Sequence, residues 1–184
     1  MSSFPVEFTR ALAVDPASRG LGFALLEGPL ALIDWGFYNT REDRDARCVA
    51  HLISMLTKFK PDVLVLEDFG TLKSHRPARV KALADAFSAA AKAHGISCRR
   101  ISRKTVRSRF PSCRTKYDIA RALATRFPEI KPWCPPTRKI WLTEDPRINI
   151  FDALSLAVTH LTRTKKEGSA RPNRLVPPLR RKDH

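Results

Sequence analysis

A chain of 184 residues with 34 Lys and Arg against 18 Asp and Glu, a formal charge of +16 and 43% apolar residues is expected to form one domain with a full core and no second catalytic domain. The basic excess favours a polyanionic partner, nucleic acid or an anionic membrane surface, and it concentrates in two blocks: 99–121, nine bases against one acid, and 163–184, eight against two. No apolar run approaches the ~20 residues that span a bilayer, and residues 1–7 lack the pattern of a secretory signal, so no membrane role and a cytoplasmic location, nucleoid-associated if bacterial, are expected.

Residues 8–38 read as three strands joined by tight turns. The first ends in Asp15-Pro16, the second begins at Gly20-Leu21-Gly22, and the third follows the breaker pair Gly28-Pro29. Val49, Leu52, Ile53 and Leu56 then recur at helical spacing, which predicts a helix over 43–59 closed by Lys60-Pro61-Asp62. Val63-Leu64-Val65-Leu66 is a continuous apolar run of the kind found in parallel strands covered on both faces, and Glu67 ends it.

Val80, Leu83, Ala84, Phe87 and Ala91 mark a second helix, which Gly95 stops, and 96–101 reads as a fifth strand followed by a basic stretch. Ile119, Ala120, Leu123 and Phe127 define a third helix, after which four prolines between 128 and 136 predict a rigid, non-helical connection. Asp145-Pro146 is the N-cap and first residue of a fourth helix over 146–161, apolar nearly all round and therefore buried. Residues 163–184 read as a disordered basic tail behind a folded domain of 1–162. Cys48, Cys98, Cys113 and Cys134 are too widely spaced for a zinc site or a disulfide framework and read as reduced thiols.

These elements describe an α/β domain with a mixed five-stranded sheet, a three-strand antiparallel meander plus parallel strands, flanked by helices. A right-handed crossover sets the first and fourth strands side by side and parallel, so the carboxyls of Asp15 and Glu67 are brought to neighbouring strand ends. Apposed acids repel unless a cation neutralises them. Asp152 adds a third acid on a polar stripe, Asn149, Asp152 and His160, of a helix that is otherwise core. Three carboxylates and an amide are oxygen donors suited to Mg²⁺ or Mn²⁺, and two such ions would serve phosphodiester hydrolysis while the basic blocks hold the backbone.

Leu12-Ala13-Val14-Asp15-Pro16 with Gly20 and Gly22, then Val63 to Phe69, then Asn149-Ile150-Phe151-Asp152 through His160, together resemble the RuvC-type Holliday junction resolvases of the RNase H-like superfamily, over residues 10–161. The resemblance implies an RNase H-like nuclease domain over 1–162, a homodimer that nicks four-way DNA junctions in pairs, and two Mg²⁺ or Mn²⁺ ions per site. It further implies Asp15, Glu67 and Asp152 as catalytic metal ligands, with Asn149 standing where the family usually has a fourth acid. Lys116 and Arg107 fall where the family carries functional lysines, and Phe69 where it has a junction-opening aromatic. By the same analogy, the helix near 76–94 is the dimer contact. With Arg103, Lys104, Arg109 and Arg114, these residues Phe69, Arg107 and Lys116 form the expected DNA-binding set.

Plainer readings stand beside these. Asp15-Pro16 also suits a turn, Asp152 an ion pair with a core arginine, Phe69 and the tryptophans ordinary packing, and Glu144 a solvated position. Strand alternation allows only one of Glu67 and Asp68 into the site. The same acids on the same fold also suit an RNase H-like nuclease acting on RNA or hybrids, or a non-catalytic nucleic-acid-binding module with a decayed metal site.

Overall fold

The structure, a computed structural model, describes residues 8–70, 77–139, 141 and 143–164. In chain order it contains β1 (Arg10–Ala17), β2 (Gly20–Glu27), β3 (Ala31–Asn39), α1 (Arg44–Phe59), β4 (Val63–Glu67), α2 (Ala78–Ala93) and β5 (Ser97–Ile101). There follow α3 (Arg103–Arg109), α4 (Lys116–Arg126), a 3-10 helix (Pro128–Trp133) and α5 (Ile148–Thr164). The sheet order is β3-β2-β1-β4-β5, with β1, β2 and β3 antiparallel and β1, β4 and β5 parallel. The mixed five-stranded sheet expected from the sequence is therefore present, with β1 and β4 as parallel neighbours.

Side-chain alternation divides the core into two layers. Leu12 and Val14 of β1 and Leu64 and Leu66 of β4 face α1 and α2, where they meet Leu52, Leu56, Leu83 and Phe87. Ala11, Ala13, Val63 and Val65 face the other way, onto Ile150, Ala153, Leu154 and Ala157 of α5 and Leu123 of α4. Both faces of the central strands are covered, as their unbroken apolar runs require. Each large side chain buried in this way, such as Phe87 or Phe151, stabilises the fold by ~1.5–3 kcal/mol relative to exposure.

Five expectations are corrected. The basic stretch after β5 contains a helix, α3, started by Ser102, whose side chain accepts from the Thr105 N–H, and anchored by buried Val106. A single apolar contact leaves no periodicity to read. The proline-rich connection opens with a 3-10 helix, because Pro128 at its first position needs no N–H partner there. Asp145 does cap, accepting from Arg147 N at 2.9 Å, but the residues it caps form a turn and α5 begins at Ile148. Trp133 and Trp141 are 44% and 78% exposed, so they do not pack in the core. α5 also runs to Thr164, and the rest of the expected basic tail, 165–184, lies outside the described residues.

All four cysteines are free, and burial, with help from Asp45, pushes the Cys48 thiol up to about 11. Among the described residues no helix is long and apolar enough to cross a membrane.

Two local features have measurable consequences. α4 opens with a capping box in which the Thr115 hydroxyl accepts from the Asp118 N–H and the Asp118 carboxylate accepts from the Thr115 N–H at 2.7 Å. Thr115→Ala should lower stability by about 1 kcal/mol in chemical denaturation. On α1, the His51 ring stacks on Tyr38 with centroids 4.1 Å apart, its Nε2 is buried without a hydrogen-bond partner, and burial lowers its pKa below 6.5.

Protonation of His51 is thus easier in the unfolded chain. Its contribution to stability is complete above about 6.5 and is lost as the pH falls from there through the lowered folded-state value. Melting curves between pH 7.5 and 5 should show the wild type losing more stability than His51→Phe, and parallel losses would contradict this.

Candidate active site

The alternation that sorts the core also builds the site. Asp15 continues the β1 face of Ala11 and Ala13, Glu67 continues the β4 face of Val63 and Val65, and Gly22 precedes Ala24 and Leu26 of β2. Asp15 and Glu67 therefore look toward α5 from the carboxyl ends of parallel strands, the place where open α/β sheets bind ligands. Asp68 falls on the opposite face, and its Oδ1 accepts from Gly70 N. The choice between the two neighbouring acids is thereby decided for Glu67.

α5 supplies the third acid by approaching very closely. Gly22 lies opposite Asp15 in the β1–β2 ladder, and a Cβ placed on it would stand 2.4 Å from the backbone carbonyl carbon and oxygen of Asn149. Only the absent side chain lets the first turn of α5 settle there. Asn149 donates from Nδ2 to Pro146 O at 2.9 Å, and Asp152 follows one turn later. Relative exposures are 0% for Asp15, 5% for Glu67, 5% for Asp152 and 8% for Asn149, so three carboxyls and an amide are buried at this end of the sheet and the facing turns of α5.

An arginine stands among them. Arg103, the first residue of α3, donates from Nε to Glu67 Oε1 at 2.9 Å and from Nη1 to Asp152 Oδ1 at 2.8 Å. Burial works against its charge, but Asp152, then Glu67 and Asp15, outweigh that and hold its pKa above the ordinary value. Arg103, expected from the sequence as a DNA contact, thus stands between two of the predicted acids. The plainer reading of Asp152 as the ion-pair partner of an arginine is realised in the same contact, although Arg103 itself is only partly buried.

The position of Arg103 follows from sheet register: Glu67 pairs with Ile101 in the β4–β5 ladder and Asp68 N donates to Ile101 O, so the residue two beyond β5 arrives beside Glu67. The sequence signal was present in the parallel order of β4 and β5, but the basic run around Arg103 masked it.

The donor set fits a hard divalent cation, since every side chain offers oxygen and one guanidinium offsets only one of three carboxyls. Among the described residues no three acidic, His or Cys side chains stand together at metal-ligand distances.

The remaining predicted residues lie around this centre. Lys104, Arg107, Arg109 and Arg114 are exposed. Lys116, first in α4, is half-buried and ion-paired with Glu144, which is exposed and lies before α5, as expected. Phe69 is 6% exposed and packs with Val80 and Ala84 of α2, the arrangement of a core aromatic. Asp145 is held by Arg147 through Nε and Nη2 at 3.0 and 2.5 Å and takes no part in the centre.

No family model matches the sequence, and no curated protein matches it. Among solved structures the fold is similar to Thermus thermophilus RuvC in complex with a Holliday junction substrate, with a TM-score of 0.65 and 17% identity over 86% of this chain and 96% of that one. It is similar also to another structure of Thermus thermophilus RuvC (TM-score 0.64, 18% identity, 86% and 96% covered). The yeast mitochondrial Holliday junction resolvase Ydc2 gives a TM-score of 0.62 and 14% identity over 87% of this chain and 82% of that one. The chain therefore has the RNase H-like fold of these RuvC-type proteins.

Proposed function

We propose that this protein is a metal-dependent endonuclease that resolves four-way DNA junctions by paired nicks. The observation that carries the reading is the burial of Asp15 at the end of β1 and of Glu67 and Asp152 on one shared arginine, at the carboxyl end of the parallel strands, on the fold of two Holliday junction resolvases. Fold alone does not fix activity, so the weight rests on these side chains.

Asp15, Glu67 and Asp152, with the Asn149 carbonyl, would hold one or two Mg²⁺ or Mn²⁺ ions. Bound there, such ions lower the pKa of a water and offset charge on the leaving oxygen of a phosphodiester. Lys104, Arg107, Arg109 and Arg114 hold the phosphate backbone of the two arms that meet at the site. Lys116, at the N-terminus of α4, adds a compact positive charge, and Arg107 a planar fork better suited to clamping phosphate than to proton transfer. Two protomers related by a two-fold axis match the two-fold symmetry of a junction, which is why a homodimer belongs to the proposal.

A substrate panel tests it. With Mn²⁺ or Mg²⁺, cleavage of a four-way DNA junction should exceed cleavage of the linear duplex and of an RNA–DNA hybrid of the same sequence. Preference for the hybrid would move the activity to RNA. Salt-sensitive binding of all three without cleavage would make the protein a binding module.

A further inference from the structure

We propose that Arg103 and a divalent cation are alternative occupants of one position in the acid centre: the guanidinium is the resident counter-ion of Glu67 and Asp152, and a cation binds there by displacing it. The inference rests on the metal-dependent reading above and adds a residue that the resemblance did not place in the centre.

Geometry carries it. A single guanidinium makes charge-assisted hydrogen bonds to two carboxylates that are each 5% exposed, at 2.9 and 2.8 Å. A cation coordinated by the same oxygens needs them at ~2.1 Å from its own centre. The planar group and the ion cannot share that space.

The side chain has somewhere to go. It is 33% exposed, against 7% for the side chains of both partners, and it starts at the first residue of α3, whose Lys104 and Arg107 are exposed. A guanidinium released from Glu67 and Asp152 moves outward into that basic surface, where a phosphate would replace the carboxylates as its partner. In the metal-free protein the same residue offsets charges that would otherwise be buried uncompensated.

The test compares the wild-type protein with Arg103→Met, using Mn²⁺ as the probe, by titration calorimetry and thermal melting. Arg103→Met should bind Mn²⁺ at least ~10-fold tighter, a competition worth about 1.4 kcal/mol or more. Without metal it should melt below the wild type, and Mn²⁺ should narrow that gap.

If the variant does not fold without metal, the wild type decides by NMR: the Arg103 Nε–H resonance should move to the position of a solvent-exposed arginine as Mg²⁺ saturates the site. Equal Mn²⁺ affinity in the two proteins, or an Nε–H signal unchanged at Mg²⁺ saturation, overturns the inference and leaves the nuclease reading standing. Mn²⁺ bound by neither protein overturns the metal-dependent reading and this inference with it.

Discussion

Asp15→Asn should abolish junction cleavage, by ~10³-fold or more, while leaving junction binding and the fold intact. Asp15 is fully buried, it faces α5 from β1, and its carboxylate adds to the field that holds Arg103 charged. The substitution preserves shape and removes one negative charge from a cluster that holds three acids. A metal centre that loses a charged ligand forfeits several kcal/mol of transition-state stabilisation, and each 1.36 kcal/mol is a factor of ten in rate.

Stability should not fall with activity, because Arg103 keeps both of its hydrogen-bonded partners, Glu67 and Asp152. Binding should survive too, since the exposed bases of α3 and the segment after it are untouched. A mutant that nicks junctions at the wild-type rate would remove Asp15 from the reaction. Melting curves and gel-shift titrations of the same preparation separate lost chemistry from lost folding.

Gly22→Ala should damage both fold and function, although Gly22 carries no chemistry. A methyl group there meets the backbone of Asn149 at 2.4 Å, and backbone, unlike a flexible side group, has no rotamer that takes it out of the way. The first turn of α5 must move off the sheet. Overpacking of this kind costs about 1–3 kcal/mol, which for a protein of this size lowers the melting temperature by roughly 2–4 °C per kcal/mol.

The catalytic loss should be larger than the stability loss suggests. Asn149 and Asp152 ride on the turn that moves, whereas Asp15 and Glu67 stay on the sheet, and a displacement of ~1 Å at a catalytic group can cost ~10²-fold in rate. Cleavage measured well below the melting temperature of the variant isolates this effect. A variant as active and as stable as the wild type would show that α5 tolerates the displacement.

The acids were legible in the sequence because of where they fall along their elements. Asp15 and Glu67 close apolar strands that a right-handed crossover sets side by side, but the runs before them are apolar at every position, so only the packing shows which way the carboxyls look. The polar stripe on an otherwise apolar helix marked Asp152. Arg103 was not legible in this way: it sits in a run of bases where composition suggests only a surface, and its place depends on the pairing of Glu67 with Ile101 across two strands far apart in sequence. Trp133 and Trp141, expected as packing residues and found exposed, show the opposite failure. An aromatic beside a site reads equally as wedge or as core, and only packing separates Phe69 against α2 from Trp141 at the surface. The close approach of α5 at Gly22 is likewise a property of two elements together, which no single segment announces.

The most direct test of the acid centre as a junction-resolving site is a strand-mapped cleavage assay: a four-way junction labelled in turn on each of its four strands, with Mg²⁺ or Mn²⁺ and with chelator. A junction-resolving centre gives paired nicks at symmetry-related positions on two opposing strands, present with metal and lost with chelator or with Asp15→Asn. Nicks scattered along duplex arms, or cleavage that persists in chelator, would contradict it.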